Sequence, residues 1–137
     1  MMERKFKLVA WTENITDSQK ARLYMTPSLE SEVQADLIAD LILVRQEEYK
    51  FNGPVSLDLA RRAIRAYENL SRFEIFTGHS GDGIRYLFFA ARYCIGHEGL
   101  RHDLVRLCNE ALRLAEKFGR EDILQEPTPR LMLDASS

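Results

Sequence analysis

The chain has 137 residues, 45% of them hydrophobic and 29% charged, with a formal net charge of −2. That length sets one domain as the expectation and suffices for a core without disulfide or metal staples. Near-balanced charge, with basic residues in every segment, argues against a nucleic-acid-binding stripe, and no apolar run approaches the ~20 residues of a membrane span.

The first residues, MMERKFKLVAWTEN, hold too short an apolar stretch for a secretory signal, so the cytoplasm is the expected location. Residues 5–12 alternate charged and apolar side chains before turning apolar, which fits a short extended segment with Phe6, Leu8 and Ala10 on one face. One strand does not stand alone in water, so residues 1–25 read as an N-terminal extended arm. Asp17 is placed to cap a short helical turn through Met25.

Thr26, Pro27 and Ser28 then form a helix start signal, reinforced by Glu30 and Glu32 near the positive end of the helix dipole. Val33, Leu37, Leu41 and Val44 make a helical stripe, and a first long helix is expected over 28–50. Asn52, Gly53 and Pro54 end it. Ser56 caps a second helix, whose seam is Leu59, Ala60, Ala63, Ile64, Tyr67 and Leu70, running to about Thr77. Gly78-His79-Ser80-Gly81-Asp82-Gly83 is a break. A third helix is expected over 82–95, apolar nearly all round and therefore buried or covered by a partner. A fourth spans 100–118, and Gly119 is suited to its C-cap. Glu121 to Leu124 add at most a turn. From Glu126 onward, EPTPRLMLDASS carries two prolines and reads as an extended tail over 125–137. Together these set an all-α fold: a helical domain over 26–124 whose four main helices pack as antiparallel hairpins, flanked by the arm and the tail.

Within that frame, residues 69–90 resemble the helix–turn–helix of the tetratricopeptide-repeat family. Leu70 followed by Ser71 matches the family's large-then-small pair, Gly78 its turn glycine, and Gly83 and Ala90 its two small positions in the second helix. Leu104 and Val105 begin a second copy 34 residues on, the family's period. The match covers about residues 64–118. Val105 is bulky where the family prefers a small residue, and Ile95 stands where proline is common. An antiparallel helical bundle with short loops accounts for the same periodicity and stays open beside it.

Three groups of residues invite chemistry. Gly78-His79-Ser80-Gly81-Asp82 lacks the second glycine, two places after the serine, that a nucleophile elbow needs; glycines that permit the turn and a capping Ser80 or Asp82 explain the run better. Cys94, His97, His102 and Cys108 include a Cys-x2-His half-site for zinc, but both cysteines fall on apolar seams and read as reduced core thiols. No metal and no cofactor is expected.

The arginines say more. From residue 55 to 123, ten of eleven basic residues are arginine, the side chain whose planar fork matches a carboxylate. Arg61, Arg65, Asn69 and Arg72 share one side of the second helix. The repeat resemblance implies that Arg65, Asn69 and Arg72 sit on a concave face, extended by Arg106, where the family often grips an acidic or C-terminal peptide. The competing reading is a solvated face with Asp58, Glu68 and Glu74 as helix-spaced partners. The leading expectation is a non-catalytic protein–protein interaction module, an adaptor or small chaperone-like protein, with a protein or peptide partner. A second is a small-molecule-binding or enzymatic domain with its site beside the His79–Asp82 turn. A third is a structural homo-oligomer, such as a homodimer, in which a second copy covers the third helix and the arm.

Overall fold

The computed structural model describes residues 27–50 and 55–137, and among these it contains five α-helices, two short 3-10 turns and no strand. The expected arm, with the extended segment at 5–12 and the turn at 17–25, lies outside the described residues, as does the break at Asn52, Gly53 and Pro54. The helices are α1 (Pro27–Tyr49), α2 (Leu57–Phe76), α3 (Ser80–Arg92), α4 (Arg101–Lys117) and α5 (Pro127–Ser136). The 3-10 turns are Glu98–Leu100 before α4 and Glu121–Gln125 before α5.

Local chemistry sets the ends. Pro27 opens α1, where its missing N–H costs nothing. The Ser56 hydroxyl accepts a hydrogen bond from the Leu59 N–H at 3.2 Å and caps α2. At the far end of α2, Thr77 Oγ1 donates to the Phe73 carbonyl at 2.9 Å, and the His79 N–H closes on the Glu74 carbonyl at 2.7 Å. Gly78 adopts φ +92°, which lets the chain reverse in a few residues. α3 therefore begins at Ser80, earlier than the sequence suggests, and ends at Arg92, with residues 93–96 in turns.

Each helix packs on the next: α1 on α2, α2 on α3 and α3 on α4, while α5 lies against both α3 and α4. The main core forms among α2, α3 and α4 from Ile64, Ile84, Phe88, Leu107 and Ala111, closed by Leu100, Ile123 and Met132. A smaller cluster of Val33, Leu37, Leu70 and Phe73 joins α1 to α2. α2 and α3 approach closely at Gly83, whose carbonyl accepts a 2.6 Å hydrogen bond from Ser71 Oγ.

The expected extended tail is a helix. Pro127 and Pro129 both fall in the first turn of α5, where amide N–H groups have no intrahelical acceptor to lose. Pro129 and Met132 are buried, and Cys108 Sγ lies 3.6 Å from the Met132 carbonyl. Arg101 donates to the carbonyls of Ala135, Ser136 and Ser137 and so satisfies the C-terminal end of α5. Arg85 forks onto Glu126 at 2.9–3.3 Å and ties the start of α5 to α3, holding the Glu126 carboxyl below its ordinary range.

Candidate functional site

A cleft of about 330 Å³ opens between α2 and α4. The α2 wall is a helical face with a repeat of four, four and three residues: Arg61, Arg65, Asn69 and Arg72. The α4 side contributes Asp103 and Arg106, and Ile64 and Leu100 supply the apolar part of the lining. All four residues singled out from the sequence, Arg65, Asn69, Arg72 and Arg106, therefore line one cleft. Arg61, which shares their side of the helix, lines it with them.

Four guanidiniums face two carboxylates across this space. Arg106 spends its fork internally: its two terminal nitrogens reach the Glu68 oxygens at 2.9 and 3.0 Å, and one also reaches Asp103 at 3.2 Å. The Arg72 guanidinium stands 3.7 Å from Glu68, one helical turn away. Glu68 is mostly buried and braces α2 against α4. Arg61 and Arg65 are exposed and pair with no described carboxylate. Asn69 is 9% exposed, and its amide is bonded to no described residue. The excess positive charge reaches beyond the cleft. Arg113 holds the Glu110 carboxyl below its ordinary range by a direct hydrogen bond, and the charges of Arg72 and Arg106 act in the same direction. The arrangement offers an anion two guanidinium forks that no described carboxylate engages, one amide and an apolar base. It holds no nucleophile–base pair.

A second cleft, of about 250 Å³, lies where the C-terminal half of α1 meets α2 and the end of α3. Tyr67, Phe89 and Tyr93 line it, with ring centroids 5.9–6.0 Å from Tyr67. Its hydroxyls are committed: Tyr93 donates to Glu48 at 2.8 Å, and Tyr67 accepts from Arg45 at 3.4 Å. These tyrosines stabilise the packing of the three helices.

The glycine-rich turn is structural in its geometry. His79 Nδ1 sits 3.3 Å from a Glu74 oxygen and 3.3 Å from Thr77 Oγ1. Glu74 is buried and accepts from Gln34 Nε2 at 3.0 Å, linking the turn to α1. Ser80 and Asp82 fall in the first turn of α3, and Asp82 pairs with Arg85 at 3.3 Å. Neither cleft is lined by His79, Ser80 or Asp82. Cys94 and Cys108 are buried free thiols, and burial pushes Cys94 up to about 12. Among the described residues, no group of histidines, cysteines and carboxylates is placed to hold a metal ion. No described helix is long and apolar enough to cross a membrane.

Glu68, read from the sequence as a helix-spaced partner of the arginines, does stand beside Arg72, and it also takes the fork of Arg106. Asp103 is the part of the site that the sequence left unassigned, foreshadowed only by its i, i+3 spacing to Arg106. No protein-family model matches the chain, and no curated protein and no solved structure matches it.

Proposed function

We propose that this protein is a non-catalytic interaction module that captures an acidic segment, or a free C-terminal carboxylate, of a protein partner in the α2–α4 cleft. The observation that carries the reading is the pair Arg61 and Arg65: two uncommitted guanidiniums one helical turn apart, opening onto a cleft that also holds Asn69, Arg72 and Arg106. Carboxylates satisfy such forks in bidentate fashion, and hydrogen bonds to charged groups are worth roughly 1.5–3 kcal/mol each. The hairpin packing supports a tetratricopeptide-like arrangement of the helices. Leu70 and Ala90 are buried where that repeat wants its packing residues, Gly78 makes the turn, and Gly83 allows close approach to Ser71.

Calorimetric titration with a short Glu/Asp-rich peptide, and with the same peptide carrying lysine at the acidic positions, tests this. Binding of the acidic peptide alone, weakening as salt is added, is the expected result. Equal affinity for the two peptides, or none for either, would sink the proposal. Glu68→Gln sharpens the test. The substitution removes the carboxylate that occupies Arg106 and flanks Arg72, so the acidic peptide should bind about tenfold more tightly, equivalent to ~1.4 kcal/mol. The same change should cost about 1 kcal/mol of stability, because it loses a brace between α2 and α4 whose arginine is partly solvated. Affinity falling in Glu68→Gln would mean that the brace, and not the free charge, shapes the binding surface.

A further inference from the structure

The second cleft, where α1, α2 and the end of α3 meet, holds groups that helix packing does not use up, and it shares no lining residue with the α2–α4 cleft. One wall is aromatic. Tyr67 is buried, while Phe89 and Tyr93 are only half-buried and keep open ring surface. Their rings are tilted against Tyr67 by 52° and 35°, not stacked face to face. The hydrogen bonds from Tyr93 to Glu48 and from Arg45 to Tyr67 hold two of the rings in place, so a ligand need not order them.

The rest of the lining carries unspent donors. Arg92 is exposed at the last residue of α3, and its guanidinium has no partner among the described residues. A cation at that end suits the helix dipole, but this consumes none of its N–H groups. His97 is half-buried, has no side-chain partner among the described residues and donates from at least one ring nitrogen in either tautomer. The Tyr67 hydroxyl accepts from Arg45 and still has its own proton to give, with no acceptor for it among the described residues. Charge is left over as well. Arg45 stands 3.5 Å from Glu48 and offsets it, so Arg92 makes the lining net positive.

We infer that this cleft binds a small aromatic carboxylate, with its ring against Phe89 and Tyr93 and its carboxylate on Arg92 and His97. An apolar cavity of roughly 150 Å³ takes a benzene ring. The cleft's volume of about 250 Å³ therefore admits one ring with its carboxylate. Apolar and aromatic walls with a few convergent polar groups are the usual form of a small-molecule site.

Benzoate is the probe, titrated into the labelled full chain beside cyclohexanecarboxylate, which lacks the aromatic face, and benzyl alcohol, which lacks the charge. Benzoate should shift the Arg92 Nε resonance and show nuclear Overhauser contacts to the Phe89 and Tyr93 rings. It should bind about threefold more tightly than cyclohexanecarboxylate and about tenfold more tightly than benzyl alcohol. Arg92→Gln should weaken benzoate about tenfold, whereas Arg65→Gln, in the other cleft, should leave it unchanged. Arg92 is exposed and braces no described residue, so the variant should keep its helices, which circular dichroism checks. The contacts to Phe89 and Tyr93 in the unsubstituted chain decide the matter even if it does not. Three results overturn the inference: equal affinity for benzoate and either analogue, benzoate binding that Arg65→Gln abolishes and Arg92→Gln spares, or an Arg92 resonance unmoved at about 10 mM benzoate.

Discussion

Replacing Gly83 with valine is expected to cost about 3 kcal/mol of stability, the upper part of the usual range for overpacking a filled interior. A Cβ at Gly83 would run into Ile75 Cγ1 and meet the Ser71 carbonyl oxygen at 2.9 Å. The isoleucine branch can swing aside, but the carbonyl belongs to the α2 backbone and cannot. Pushing α3 away would also stretch the 2.6 Å hydrogen bond from Ser71 Oγ to the Gly83 carbonyl. Alanine already carries that Cβ and meets the same carbonyl, so Gly83→Ala should also destabilise, by less than valine because it adds no branch and gains up to ~1 kcal/mol of helix propensity. Gly78 is the control. An added Cβ there meets nothing within 4 Å, so Gly78→Ala should cost only left-handed backbone strain, about 1–2 kcal/mol. Urea denaturation measures all three, with the midpoint moving and the slope unchanged. Gly83→Val within about 0.5 kcal/mol of wild type would mean that α2 and α3 are not held together at this point.

The double reversal Arg61→Glu/Arg65→Glu is expected to weaken the acidic peptide by about 100-fold, equivalent to ~2.7 kcal/mol. It removes the two arginines that no described carboxylate engages and puts like charges where the ligand's carboxylates would lie. Stability should hardly change, because both side chains are exposed and neither braces another helix. Arg106→Ala should reverse that balance. Arg106 already bonds Glu68 and Asp103, so its loss should cost more stability and less affinity. The ranking of the two variants, by affinity and by chemical denaturation, separates a binding fork from a structural one. If Arg106→Ala proved the worse binder and the double reversal had no effect, the cleft would have its charges assigned in the wrong order.

The helices were legible because their inward residues repeat at helical spacing and short polar or glycine-rich breaks separate them. Ser56, Gly78 and Gly119 act where their side chains or backbone freedom suggested. α5 was not legible, since two prolines in twelve residues ordinarily read as a helix breaker. Position within the helix decides that question, and position depends on Glu126 being held by Arg85 and on Met132 finding the core. The α2 wall of the cleft was legible for the same reason as the core: spacing alone puts Arg65, Asn69 and Arg72 on one face. Arg106 entered through the repeat resemblance, and its partner Glu68 is 38 residues away, a contact that no local pattern specifies. Glu74, read as one helix-spaced partner for the arginines, instead turns inward to Gln34 and His79.

Binding centred on the α2–α4 cleft is tested most directly by two-dimensional NMR of the arginine Nε and asparagine side-chain amide groups. Titrating the labelled full chain with the Glu/Asp-rich peptide should shift Arg61, Arg65 and Asn69 first and furthest. Arg72 and Arg106 should follow as the peptide competes with Glu68, while Arg45 and Arg92 beside Tyr67 and Tyr93 should stay in place. Shifts confined to Arg45 and Arg92, with Asn69 and Arg65 unmoved at saturation, would contradict the account.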